Sequence, residues 1–129
     1  MLPFHVQFRT GIAVYEQVVF AVKKAIVSGQ LVPGDKFPSV RQLSQELKIN
    51  PNTAHKIVGT LVNERLLEVN PGIGTVVAKV TPSTRQQRRE LLNEEVERLV
   101  VEAKKLSLEP GDVQEALQQH WNRLKKENI

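Results

Sequence analysis

The chain contains no cysteine. Disulfides and thiolate metal sites are thereby excluded, and an intracellular home is the simpler reading. Aromatic residues are also scarce, at 5% of the 129 positions, while hydrophobic residues make up 40%. The core must therefore be aliphatic, built from Val, Leu and Ile. No apolar run approaches the roughly 18–20 residues that span a bilayer. The first residues also lack a charged segment followed by an apolar one. A soluble protein of the cytoplasm, without membrane contact, is expected. Clusters that carry chemistry are missing too. His5, His55 and His120 are far apart, and none has a carboxylate at ligand spacing, so no metal site is expected. There is no Ser/His/Asp arrangement and no pair of carboxylates in a glycine-framed pocket. Catalytic residues and cofactors are therefore both expected to be none. Internal repeats and low-complexity segments are absent as well.

What is present is a modest and unevenly placed positive charge. Nine Lys and Arg residues stand against five acids up to Lys79, and from Val80 onward there are nine of each sign. The whole net charge of +4 therefore belongs to the first part of the chain. A basic module beside a neutral one suits a polyanion bound through one end. The plainer alternative is solvation of a small basic domain.

The pattern along the chain divides accordingly. Pro3 to Arg9 alternates apolar and polar residues, as a short extended arm would. From Ile12 to Ser28, the residues Val14, Val18, Ala21, Val22, Ala25 and Ile26 share one helical face. Gly29 falls where that helix should stop, and Pro33-Gly34-Asp35 forms a turn. Ser39 is a good N-cap with Gln42 three positions on, the spacing of a capping box. Val40, Leu43 and Leu47 supply the buried stripe of this second helix. After the tight turn at Lys48-Ile49, Asn50 caps a third helix with Pro51 at its first position. Ala54, Ile57, Val58, Leu61 and Val62 face inward there. Asn52, Thr53, His55, Lys56 and Gly59 are left outside. Leu66–Val69 and Thr75–Val80, joined by Asn70-Pro71-Gly72-Ile73-Gly74, read as a hairpin. Thr81-Pro82-Ser83 ends this region. A long helix follows, then a break at Leu108–Gly111 and a last helix.

A short helix, a tight turn, a second helix and a small hairpin is the order in which a winged helix is built. The expected fold is thus mainly α with a small β-hairpin. An N-terminal winged helix-turn-helix, a DNA-binding domain, should occupy residues 1–80. A C-terminal two-helix tail should occupy 81–129, a dimerisation region on the family resemblance given next.

The residues that make this expectation specific are Ile26-x-x-Gly29-x-Leu31-x-Pro33-Gly34-Asp35-x-Phe37-Pro38-Ser39-x-Arg41-x-Leu43, then Asn50-Pro51-Asn52-Thr53, then Gly72-x-Gly74-Thr75-x-Val77. Together they resemble the N-terminal winged helix of the GntR family of bacterial transcription regulators. The resemblance is tight over about 50 residues and reaches about half the chain with the first helix included. The short helical tail looks like that of the YtrA-like subfamily, whose members are typically dimers held by those helices. Many of them lie beside genes for membrane transporters. The resemblance therefore implies a homodimeric, DNA-binding repressor on a pseudo-palindromic operator of double-stranded DNA. The chain departs from the common pattern at Pro51 and His55, where many members carry basic residues. It departs again at the hairpin tip, which holds no Arg or Lys, and at Arg65, which replaces the usual glycine.

On this footing the DNA-binding residues are Ser39, Arg41, Asn52, Thr53, His55, Lys56, Gly72, Gly74 and Thr75. Arg41, near the start of the second helix, could reach a phosphate or the O6/N7 edge of guanine in a bidentate way; otherwise it is an exposed helical arginine. Ser39 has a structural task as cap, and its helix N-terminus could also meet a phosphate. Asn52 and Thr53 occupy the first turn of the recognition helix, where Asn can pair with adenine and the Thr methyl can meet thymine. Both also suit a helix start on structural grounds alone. Lys56 is a phosphate partner. A protonated His55 could donate to phosphate or guanine, or it is simply solvated. The Gly72-Ile73-Gly74-Thr75 wing would let backbone approach the sugar-phosphate chain, and it also suits an ordinary turn.

In the tail, Leu92, Val96, Leu99, Ala103 and Leu106 form a stripe that one short helix cannot cover. With Leu117 and Trp121 they are the dimerisation residues; the competing arrangement packs the stripe on Val113, Leu117 and Trp121 of the same chain. Arg85, Arg88 and Arg89 open the long helix, as a solvated or acid-paired set or against the DNA backbone. A small-molecule effector, unidentified from sequence, would have to sit at the dimer interface or between domain and tail. The rival class is a winged-helix protein-interaction module without direct DNA readout.

Overall fold

The computed structural model describes residues 1–124. The chain divides into two compact units, Met1–Val80 and Thr81–Leu124.

The first unit opens with an arm that has no regular structure but is anchored. Phe4 is buried, and its ring stacks on Phe37, centroids 5.8 Å apart and planes 5° from parallel. The arm is therefore part of the core rather than a free extension. At its end the Gln17 side chain accepts from the Arg9 N–H at 2.8 Å and donates to the Arg9 and Ile12 carbonyls at 2.9 Å each.

Helix α1 (Val14–Val27) buries Val18, Val19, Val22 and Ala25. Three residues on its face differ from the sequence pattern. Val14 is exposed, whereas Val19 is buried and Tyr15 half-buried. At 100° per residue, Tyr15, Val18, Val19 and Val22 cluster about one direction and Val14 falls at its edge.

Helix α2 (Val40–Leu47) starts with Ser39 Oγ accepting the Gln42 N–H at 3.1 Å. The return half of the capping box is not made, because the Gln42 side chain donates to Glu46 Oε2 at 2.7 Å instead. The neighbouring Met1 ammonium, 2.8 Å from Glu46 Oε1, and this amide bond together hold the Glu46 carboxyl below its usual range. Helix α3 (Pro51–Asn63) begins as expected, with Asn50 Oδ1 accepting the Asn52 N–H at 2.8 Å and Pro51 at the first position. Its inner row of Ala54, Ile57 and Leu61 is fully buried against Leu43, Val18 and Val22.

Strands β1 (Leu67–Asn70) and β2 (Gly74–Val77) form an antiparallel hairpin in which Leu67 faces Val77 and Asn70 faces Gly74. The second strand is shorter than the sequence pattern suggested and stops at Val77. The turn before α2 laces onto it. Gly34 N–H donates to the Val77 carbonyl, Val77 N–H to the Asp35 carbonyl and Phe37 N–H to the Thr75 carbonyl, each at 2.8 Å. The Pro33–Phe37 segment thus forms a third, irregular edge that fixes the hairpin to the start of the helix-turn-helix. The core is aliphatic apart from the two stacked phenylalanines.

In the second unit, α4 (Arg85–Arg89) begins with a full capping box between Thr84 and Gln87. It runs through a π-helical stretch (Glu90–Glu95) into α5 (Val96–Lys105). Ser107, in the left-handed region at φ 59°, ends that helix. Helix α6 (Pro110–Arg123) follows, with the Asp112 side chain accepting the Glu109 N–H at 2.9 Å. Pro110 and Gly111, read from sequence as the break, lie inside α6 as its first turn, where proline is tolerated. Ala103 is buried at 7% exposure, but Leu92, Val96, Leu99, Leu106, Leu117 and Trp121 are all exposed, Trp121 at 79%. Among the described residues, of the three positions in the same-chain packing alternative, Val113 is half-buried while Leu117 and Trp121 are exposed. Leu91, Val100, Val101 and Leu108 widen the exposed apolar surface beyond the stripe read from sequence.

Candidate nucleic-acid interface

The outward face of α3 is built by exclusion. Its apolar residues at helical spacing are drawn into the core, which leaves Asn52, His55, Lys56 and Gly59 exposed and Thr53 half-buried. The helix contains no acidic residue. A polyanion approaching this face meets one cation and several neutral donors, with nothing on α3 to repel it. His55 makes no hydrogen bond or ion pair among the described residues. The Asn52 backbone N–H donates to Asn50 Oδ1, and its side-chain amide has no hydrogen-bond partner among the described residues.

Arg41 is the second residue of α2 and is exposed. Among the described residues its guanidinium has no ion-pair partner. Ser39, by contrast, spends its hydroxyl on the cap. The sole acid of α2, Glu46, is bound to Gln42 and the Met1 ammonium and does not bridge to Arg41. The turn between the helices is set by Lys48, at φ 54°, with Ile49 N–H returning to the Ser44 carbonyl at 3.1 Å. Ser44 Oγ then donates to the Ile49 carbonyl at 2.8 Å. These bonds fix how the exposed N-terminal turn of α3 leaves α2.

The wing glycines owe their identity to backbone conformation. Gly72 and Gly74 have φ of 83° and 103°, a region that L side chains rarely adopt, and a Cβ at either would meet nothing within 4 Å. The tip between them is Ile73, 62% exposed, and the only charged residue of the hairpin is Glu68. Thr75 is half-buried and lends its carbonyl to Phe37. The hairpin therefore offers no cation to a phosphate.

One feature of this face escaped the sequence pattern. Lys56 Nζ lies 3.8 Å from the centroid of the Tyr15 ring on α1. The two residues are 41 positions apart, and only the packing of α1 on α3 brings them together.

Three helices in this order, the second and third joined by a tight turn and followed by a two-stranded hairpin, define a winged helix-turn-helix. The chain belongs to the GntR family of bacterial regulatory proteins, whose family model matches residues 14–77, from the first residue of α1 to the last of β2. It is a DNA-binding transcription regulator of that family. It is 31% identical over 96 residues to the HTH-type transcriptional repressor YtrA of Bacillus subtilis, covering 74% of each chain. It is 29% identical to the uncharacterized HTH-type transcriptional regulator YhcF of the same organism, over 86% of this chain and 92% of that one. These relatives place it in the YtrA-like subfamily. A solved structure described as a transcriptional antiterminator from Listeria monocytogenes shares the fold, with a TM-score of 0.85 at 21% identity, over 98% of this chain and 95% of the other.

Proposed function

We propose that this protein is a homodimeric repressor of the cytoplasm that binds a pseudo-palindromic operator. One α3 would enter the major groove of each half-site. The half-sites would then be centred about one helical turn apart, roughly 10 bp, or a multiple of it. The observation that carries the DNA-facing part is the acid-free, polar outer face of α3, with Asn52, His55 and Lys56 exposed beside an exposed Arg41 that has no ion-pair partner among the described residues. In this reading Arg41 and Lys56 neutralise phosphates, Asn52 and Thr53 meet base edges, and the backbone at Gly72, Gly74 and Thr75 approaches the sugar-phosphate chain. The helix N-terminus at Ser39 is a further phosphate contact.

The boundary at residues 80 and 81 separates this module from a dimerisation region over 81–129, of which residues 125–129 lie outside those described. Leu92, Val96, Leu99, Leu106, Leu117 and Trp121 would form the two-fold interface. Their exposure in the single chain supports this, because an apolar surface of such extent is rarely left in water. Repression is supported by the YtrA relative, which is named a repressor. A small-molecule effector would act at the interface between the two tails, and no catalytic step belongs to this reading.

The decisive experiment is nuclease protection on the DNA upstream of the protein's own gene, with light scattering of the complex in parallel. Two protected half-sites bound by two chains are expected. A chain that protects no DNA but is retained by another protein would replace the repressor with an interaction module.

A further inference from the structure

Tyr15 is the chain's single tyrosine and the second residue of α1, half-buried, with its ring under the Lys56 ammonium. At 3.8 Å from the centroid, the cation meets the negative face of the ring quadrupole at close range. Among the described residues one other such contact, Lys24 over Phe20 at 5.9 Å, lies within a single helix and is looser. The Lys56 contact bridges two helices and lands on the face proposed to meet DNA.

A lysine stem is among the most flexible of side chains, and fixing one on a ligand costs rotamer entropy. Here that ordering is already done in the free protein. The ammonium carries three N–H donors; the ring occupies one side and leaves the others open to solvent. We infer that Tyr15 is a positioning residue for DNA binding: its ring holds the Lys56 charge in place beside the first turns of α3, where a backbone phosphate would meet it. This rests on the phosphate role proposed for Lys56. Tyr15 acts through Lys56 and needs no contact with DNA of its own.

The test uses the full chain and a mixed-sequence DNA duplex of about 30 bp, since phosphate contacts are sequence-independent. Tyr15 is replaced by phenylalanine and by phenylalanines carrying one, two and three ring fluorines, which preserve shape while draining the ring face. Each is made with Lys56 intact and with Lys56→Gln. With Lys56 present, Tyr15→Phe should bind as the parent does, and Kd should rise stepwise with fluorination to roughly two- to fivefold. With Lys56→Gln the series should be flat. A flat series in both backgrounds, an equal rise in both, or a loss with Tyr15→Phe as large as with full fluorination would overturn the inference. Lys56→Gln alone separately checks the underlying phosphate role. If it leaves the salt dependence of Kd unchanged, that role fails whatever Tyr15 does.

Discussion

The rings of Phe4 and Phe37 stack in parallel, centroids 5.8 Å apart and planes 5° from parallel, and so join the N-terminal arm to the loop that enters α2. Both rings are buried, at 6% exposure each. Phe37 also donates its N–H to Thr75, so one stacked pair ties the arm, the helix-turn-helix and the wing together. Phe4→Ala should therefore destabilise the first unit by about 3 kcal/mol, in the range for deleting a buried phenylalanine. Urea unfolding measures this. A loss under about 0.5 kcal/mol, the level of a surface change, would mean that the arm is dispensable.

Arg65 closes α3 in the left-handed conformation, at φ 62°. Its N–H returns to the Val62 carbonyl at 3.0 Å and that of Leu66 to Leu61 at 2.9 Å, the pair of bonds of a Schellman motif. A side chain in this conformation is strained and glycine is not. Arg65→Gly should stabilise the domain by about 0.5–1 kcal/mol despite the added freedom of the unfolded chain. Arg65→Ala should gain nothing. The midpoints of denaturant unfolding discriminate, and equal midpoints for the two variants would show that strain at this position is negligible.

The same motif explains what the sequence left obscure. Gly29 marked the end of α1 openly, because glycine advertises a left-handed stop. Arg65 and Ser107 end their helices in the same conformation without any such signal. The apolar spacing made the inner rows of α2 and α3 legible, and Ser39 and Asn50 announced their caps. The return half of the Ser39 box was not legible, since Gln42 had an equally good partner in Glu46 one turn on. Phe4 was hidden for another reason: a lone aromatic in an alternating arm gives no sign of the distant ring it stacks on. On the outward side, the exposed residues of α3 followed by subtraction from the buried row. The Tyr15–Lys56 contact did not, because nothing local links two positions on separate helices.

Arg41 and Lys56 should set the salt dependence of DNA binding. Each phosphate neutralised contributes a slope of about −0.9 in log K against log salt. Arg41→Ala combined with Lys56→Ala should therefore flatten the slope by about 1.8 if each meets one phosphate. Fluorescence anisotropy across a salt series reads it. An affinity that falls on an unchanged slope would remove both residues from the phosphate contacts. If Arg41 reads guanine instead, its own variant lowers specificity and leaves Lys56 alone to change the slope.

Asn52 should read a base. Asn52→Ala is expected to relax preference at one base pair per half-site by about 1–3 kcal/mol, while binding to other sequences changes little. Competition among single-base operator variants measures this. A uniform loss on every sequence would make Asn52 a backbone contact.

The wing carries Glu68 and no cation, so it should add nothing to the salt slope. Ile73→Lys places a charge at the exposed tip between two glycines, where neither the fold nor a neighbour opposes it. If the wing lies along DNA, this variant should bind more tightly and steepen the slope by about 0.9. An unchanged slope would place the tip away from the backbone.

In the proposed dimer the tail would decide whether two recognition helices act as one. Leu99 is exposed in the single chain, so an aspartate there should leave the folded monomer's stability nearly unaltered. In a two-fold interface the same carboxylate would be buried twice, without a partner, and the cost would fall entirely on association. Leu99→Asp should therefore run as a single chain by light scattering where the parent runs as two. Its Kd for one isolated half-site should be unchanged, because α3 is intact. Its Kd for the full operator should rise by about a hundredfold or more, since the second half-site is no longer delivered at high effective concentration. A variant that remains two chains and binds the full operator like the parent would show that the dimer is held elsewhere than along this stripe.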